Sequence, residues 1–328
     1  MDRRSFTKLL GSVAIAYNSG LKALVSGDRI VVVGAGIVGS SIAYHLTKMG
    51  AEVTVIERDR PAAHASGRSF AWINASYPKK PYSYHHLSQL SLLAYHKLET
   101  EIDIDIHWGG SLEWFASKEN QKMLAQEIEI QQGYGVPIQM ISGEQAHELE
   151  PNVEFDKNPS IAFSKLDGAV DAIEVVDKFL RKTINLGGQV LYPVTYENVK
   201  VIGKKIAAVR TSIGEIETDQ VVFACGVDTD ELLKIDVLKT SRPGIILRTQ
   251  PMKKVIDRVI VAPGVHIHQQ HDGKVVIGEQ AGAPISHLNR LALKPESFPG
   301  AAFEKQHGER ILAIAQKFVP QLETIELE

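Results

Sequence analysis

The feature that most constrains this chain is the stretch 29–57. Residues 30–33, Ile-Val-Val-Val, form the apolar β-branched run that a strand buried on both faces needs. Gly34, Gly36 and Gly39 follow at GxGxxG spacing. A helix is predicted to open there and to run to Met49, with Gly50 as its stop. Residues 53–56 read as a second strand, and Glu57 closes it, 57 − 34 = 23 positions after the first glycine. Together these make one βαβ unit. Gly34 permits the tight turn, Gly36 lets a pyrophosphate reach the backbone, and Gly39 lets helix and strand lie close. The helix start, at Ile37 and Val38, offers free N–H groups and a positive dipole end to phosphates. Glu57, with Arg58 beside it, is placed to accept hydrogen bonds from ribose hydroxyls. The unit calls for a dinucleotide and leaves open whether that is NAD(P) or FAD.

A chain of 328 residues has room for two domains. Lys+Arg 36 against Asp+Glu 39 gives a net charge of −3, which offers nothing to nucleic acid. Cys225 is the single cysteine, so no intrachain disulfide forms. No apolar run reaches the roughly 18 residues of a membrane-spanning helix. The first residues, Met-Asp-Arg-Arg-Ser-Phe-Thr-Lys and then a short apolar run, resemble a twin-arginine export signal through Arg3 and Arg4. Ala14-Ile15-Ala16 fits a small-x-small cleavage site. Cleavage there would remove a net +2 and leave −3 − 2 = −5. Export of a folded, loaded enzyme to the periplasm or beyond is the expectation; the alternative is a short basic helix on a cytoplasmic protein.

Along the chain, helices are predicted over 84–101, 118–132, 142–149, 171–186, 228–233 and 301–318. A hairpin is predicted over 106–116, around Gly109-Gly110. Strands are predicted at 160–163, 190–192, 199–202, 206–211, 215–217, 220–225, 244–249, 259–262, 265–269 and 275–279. Strand-rich stretches thus interrupt an α/β framework twice. The expected fold is α/β, a Rossmann-like domain carrying an inserted antiparallel-sheet domain. Residues 1–27 read as signal and spacer, 28–80 with 160–234 as the nucleotide domain, and 81–159 with 235–328 as the substrate domain.

With these elements placed, the chain resembles the FAD-dependent D-amino-acid oxidase superfamily. That group includes glycine oxidase, sarcosine oxidase, dimethylglycine dehydrogenase and D-amino-acid dehydrogenase. The landmarks are the βαβ unit, then Ala65-Ser66-Gly67-Arg68-Ser69, Glu150-Pro151, Asp167-Gly168 and Val170-Asp171. They continue with Val221 to Gly226 and with Asp272 to Gly278, in that order. The resemblance implies FAD as cofactor and hydride transfer from a C–H beside an amine nitrogen. It implies an amino-acid-like substrate, and oxygen or the respiratory chain as electron acceptor. Ser66 and Gly67 would cap a helix aimed at the pyrophosphate, with Arg68 and Ser69 in the same loop. Ala224 and Gly226 would contact the flavin, and Val199 would meet the adenine through its backbone. His64 sits where one branch of the family attaches flavin covalently; it is read here as a loop histidine without that bond. Cys225 is read as a packing residue.

An arginine fork suits an amino-acid carboxylate, and Arg242, Arg248 and Arg68 are the candidates. His266 and His268 alternate on one strand and so share a face. A substrate-lining wall is preferred there over a metal site with His271. His268 joins Arg242 and Arg248 as a candidate catalytic residue, while His85 and His86 are read as surface groups. A flavin dehydrogenase of 2-hydroxy acids or glycerol phosphate, and a non-catalytic FAD-binding protein, are the competing functions. Family members continue past a helix like 301–318 with a glycine-rich turn and a last helix, whereas this chain stops at Glu328. If complete as given, it is expected to bind flavin weakly and turn over poorly.

Overall fold

The computed structural model describes residues 26–74, 76, 79–155, 160–235, 244–280 and 300–328. Arg3, Arg4, the expected cleavage site and Arg242 lie outside the described residues. The chain divides into two compact units, Met1–Arg68 with Ala172–Val237 and Ser69–Asp171 with Leu238–Glu328.

The first unit is the βαβ framework. β1 (Arg29–Val33), α1 (Ile37–Lys48) and β2 (Glu52–Ile56) follow one another directly, as their apolar patterning requires. After the return of the chain come α5 (Ala172–Asn185), β8 (Gln189–Leu191), β9 (Tyr196–Ile202), β10 (Lys205–Thr211), β11 (Gly214–Glu217) and β12 (Gln220–Phe223). A 3₁₀ turn at Gly226–Asp228 leads into α6 (Thr229–Leu233). β12, β1, β2 and β8 form a parallel sheet in that order. α1 and α5 cover one face, where Ala43, Val176 and Leu180 pack on Val32, Val53 and Val55. On the other face Val31, Val33 and Ile56 meet Val194 and Val209, the latter from the three-stranded sheet β11-β10-β9.

The second unit begins with β3 (Trp72–Ile73), α2 (Tyr82–Glu101), β4 (Ser111–Glu113), α3 (Lys118–Gly133), β5 (Ile138–Ser142) and α4 (Gly143–Leu149). β6 (Ser160–Ser164) and β7 (Gly168–Ala169) follow. Its later half holds β13 (Ile246–Arg248), β14 (Val259–Ala262), β15 (Val265–Gln269), β16 (Val275–Glu279) and α7 (Ala301–Gln316). Seven strands make one sheet in the order β13-β16-β15-β14-β4-β6-β5. Strand alternation sorts the side chains. Ile260, Ile267 and Ile277 enter a core with Ile311 and Ala315 of α7, while Val259 and Val261 face the opposite side with Ala169, Phe70 and Trp72.

Two expectations are corrected here. Residues 106–116 are not a hairpin: β4 pairs antiparallel with β6 and parallel with β14, and His107 bridges Ala169. Gly109 and Gly110 allow close passage instead, since a Cβ on either would strike the backbone of Asp257 or Ser164. Segments 69–80 and 160–171, expected in the nucleotide domain, belong to the second unit, because β6 joins β4 to β5 and β3 pairs with β7.

Candidate functional site

In the first unit the candidate site is the turn between β1 and α1. Gly34 has φ +106°, and a Cβ there would lie 2.5 Å from the Ala224 carbonyl oxygen. Ala224 follows β12 and donates its N–H to Val33 at 2.8 Å, which draws the two strand ends together. A Cβ on Gly39 would meet the Gly34 carbonyl, so the close helix–strand approach depends on glycine. Gly36 is the N-cap of α1 and has no side chain to cap with. Ser66 supplies the missing group from a distance: its Oγ accepts the Ile37 N–H at 2.9 Å. This corrects the expected helix after Ser66. Residues 61–68 are consecutive turns, and the serine caps α1 rather than a helix of its own. Gly67 is tight against the Ala62 carbonyl, and the Arg68 N–H reaches His64. Ser69 accepts the Ala71 N–H, within the second unit.

Glu57 is buried at the end of β2. One oxygen accepts the Ala35 N–H at 2.9 Å and the other the Asp59 N–H at 3.0 Å. The carboxylate is thereby fixed beside the glycine turn, with lone pairs left for further donors. Arg58 pairs with Asp228 at 3.1 Å and ties the end of β2 to the turn after β12. His64 is exposed and stands 2.7 Å from Asp59. Glu57, Asp59 and His64 bring possible ligand atoms within 4.8 Å of one another, with Asp59 and His64 exposed. Val38 is exposed in the first turn of α1. Val199 lies within β9, opposite Val209, and Gly226 opens the 3₁₀ turn at φ +58°. Burial pushes the Cys225 thiol up to about 11, which suits a packing residue and not a thiolate.

The residues present fit the ADP part of a dinucleotide. A Cβ on Gly36 would come within 3.1 Å of the Ser66 hydroxyl and fill the cradle between them. That cradle sits at a helix N-terminus, with a fixed carboxylate at the neighbouring strand end.

In the second unit the sheet face opposite α7 carries the sequence candidates. His268 and Arg248 both stand opposite Val276, so they share a row across β15, β16 and β13. His266 and Ile246 flank Gly278 in the next row, and that glycine leaves room for the Phe70 ring. The ring of Phe70 lies 4.7 Å from that of His268 and 5.6 Å from that of His266. Trp72 meets His266 edge-on at 5.8 Å. His268 Nε2 is 2.8 Å from the Phe70 carbonyl oxygen, so it carries the proton and Nδ1 is bare. His268 Nδ1 and His266 Nε2 are buried without a hydrogen-bond partner. Burial lowers both rings to about 4, and for His268 the Phe70 carbonyl opposes the shift while His107 and Arg248 add to it. Both are therefore neutral at pH 7. His271 does not join them; it pairs with Asp105 at 3.3 Å. His85 is buried and not a surface group, while His86 is half-buried and stacks on Tyr82.

Sequence reading missed the group that anchors this face. Asp167 is fully buried, and its carboxylate accepts from Trp72 Nε1 (3.1 Å), Ser76 (2.7 Å), Ser111 (2.8 Å) and Ser164 (3.0 Å). In the sequence Asp167-Gly168 stands only as a landmark of the family resemblance, and β7 begins at Gly168.

A family model described as "FAD dependent oxidoreductase" matches residues 29–328. Glycine oxidase from Bacillus licheniformis is 28% identical over 270 residues, covering 76% of this chain and 68% of that protein. D-amino acid dehydrogenase from Rhizobium rhizogenes is 23% identical over 282 residues, covering 69% and 66%. Among solved structures, L-proline dehydrogenase from P. horikoshii superposes with a TM-score of 0.76 at 23% identity, over 93% of this chain and 80% of that one. L-Amino acid deaminase from Proteus myxofaciens gives 0.74 at 18% identity, over 92% and 79%. With a dinucleotide cradle on β1-α1-β2 and residues 29–328 matched by the family model, this chain belongs to the FAD-dependent oxidoreductase family.

Proposed function

We propose that the chain oxidises the C–N bond of an amino acid, with glycine, a D-amino acid or an N-methylated amino acid as the substrate class. The observation that carries this reading is the glycine cradle closed by Ser66 beside the fixed Glu57 carboxylate. The names of the two curated relatives support the substrate class. FAD, when bound, supplies the hydride acceptor. The α1 N-terminus and Ser66 would hold its pyrophosphate, and Glu57 its ribose.

On the substrate side, Arg248 offers the planar fork that a carboxylate prefers. His266 and His268, neutral at pH 7, add no positive charge to the face they share with it. Neutral rings beside Arg248 suit a substrate whose amine must shed its own proton before oxidation. The imine product hydrolyses in water. Electrons pass on to oxygen or to the respiratory chain, and Arg3-Arg4 supports export through the twin-arginine translocase.

The test is a visible spectrum of the purified chain before and after acid precipitation, followed by dye reduction with amino-acid and 2-hydroxy-acid panels. Flavin bands released by acid, with reduction by amino acids, are expected. Absence of flavin binding, or reduction by hydroxy acids alone, overturns the reading. Peroxide formation separates oxygen from other acceptors, and a reporter fused to residues 1–27 with Arg3→Lys and Arg4→Lys tests export.

A further inference from the structure

Phe70 lies over the sheet face that His266 and His268 share, and the backbone beside it is strained. Ala71 has φ +57°, in the left-handed region, which costs a residue with a Cβ a factor of roughly five to thirty in population. The two sides of Ala71 are held differently. On its far side the chain is anchored: the Ala71 carbonyl accepts the Val170 N–H at 3.2 Å, Trp72 pairs with Ala169 of β7, and Trp72 Nε1 donates to Asp167. On its near side Phe70 rests on the face through its ring and through its carbonyl, which accepts the His268 Nε2–H at 2.8 Å. The exposed Ser69 accepts the Ala71 N–H at 2.9 Å and closes the turn.

What the ring covers is polar. His268 is 3% exposed, and its Nδ1 is buried without a hydrogen-bond partner, as is Nε2 of His266. Buried polar atoms left unpaired raise the energy of the covered form a second time. Beneath the ring Gly278 brings no side chain, and a Cβ there would stand 3.4 Å from it. Phe70 itself is only half-buried, so the way outward is open to it. Two costs thus fall on one conformation. Rotation about φ of Ala71 into the ordinary negative range relieves both, because it moves residues 69 and 70 while the anchored side stays in place.

We propose that residues 69–71 are a movable cover hinged at Ala71, and that its opening presents the bare His268 Nδ1 as a subsite that accepts a hydrogen bond from the N–H of an amine substrate. A substrate that binds only the open form has its apparent affinity divided by the open fraction. That an amine comes to this face rests on the amino-acid reading above; the movement of the cover does not.

The test is carbethoxylation of the purified full chain with diethyl pyrocarbonate at pH 7, followed at each histidine by mass spectrometry. His85, 1% exposed in the same unit, controls for wider unfolding, and the exposed His271 normalises the reagent. His268 is expected to react faster than His85. Ala71→Gly removes the Cβ from the left-handed position; it should slow His268 about fivefold and leave His85 unchanged. Ser69→Ala should speed His268 about threefold, and Phe70→Ala more than about tenfold. In amino-acid oxidation Ala71→Gly should raise KM about fivefold with kcat kept. No slowing of His268 by Ala71→Gly, or an equal slowing of His85, overturns the cover. An unmoved KM overturns the subsite. Dye reduction by hydroxy acids alone removes the amino-acid reading, and the slowing of His268 still decides the cover.

Discussion

At the turn after β1 the working groups belong to the backbone, whereas on the face of β15 they are side chains. The first site needs the absence of atoms: Gly34, Gly36 and Gly39 leave space that a phosphate and a neighbouring strand can occupy. The second needs particular atoms in place. His266, His268 and Arg248 project from strands, and Phe70, Trp72 and Asp167 arrive from elsewhere in the sequence to hold them. A site made of absences tolerates no addition. A site made of side chains tolerates exchange of one polar group for another, and is the more adaptable half.

Substitutions can break this contrast. Gly34→Ala should have the largest effect, since a Cβ at φ +106° lies 2.5 Å from the Ala224 carbonyl oxygen. A loss of about 3 kcal/mol or more in urea unfolding, with loss of flavin retention, is the expected outcome. Asp167→Ala should follow at about 3 kcal/mol, because it strands buried donors on Trp72, Ser76, Ser111 and Ser164. Asp167→Asn should recover part of that loss, measured by the same unfolding curves.

A third comparison uses pH. Burial lowers His266 and His268 from 6.5 to about 4, so the unfolded chain binds their protons first. Their contribution to stability is complete above pH 6.5 and is lost as pH falls through about 4. Each should contribute on the order of 3 kcal/mol to acid sensitivity. His266→Gln should flatten the melting temperature between those limits, and an unaltered profile would contradict the burial argument. Ser66→Ala is the mildest change. Loss of its bond to the Ile37 N–H should cost about 1 kcal/mol and weaken flavin retention without altering the substrate face.

The same contrast explains what the sequence shows. β14, β15 and β16 fall where alternation places them, and the βαβ unit is readable from spacing because each of its parts constrains its immediate neighbours. Partner choice is not local. The glycine pair before β4 reads as a hairpin turn, yet β4 pairs with β6 and β14. Ser66 carries a capping residue's chemistry, but the helix it caps begins 29 residues earlier. Asp167 shows in sequence only as a landmark and hides its four donors, which come from two distant segments, Trp72 with Ser76 and Ser111, and one neighbour, Ser164. The face shared by His266 and His268 follows from period two, whereas the rings that cover it come from residues nearly two hundred positions away.

β1 lies between β2 and β12, and Ile30 stands opposite Gln220 in the parallel ladder. On a ribosome that adds roughly 5–20 residues per second, the first strand waits on the order of ten to forty seconds for its second neighbour. Until then one edge of β1 is open, and the Ala224 N–H that bonds the Val33 carbonyl beside the glycine turn has not been made. The nucleotide cradle, encoded almost first, is therefore finished late. The nascent chain should gain affinity for its cofactor in one step, as residues 220–226 clear the exit tunnel.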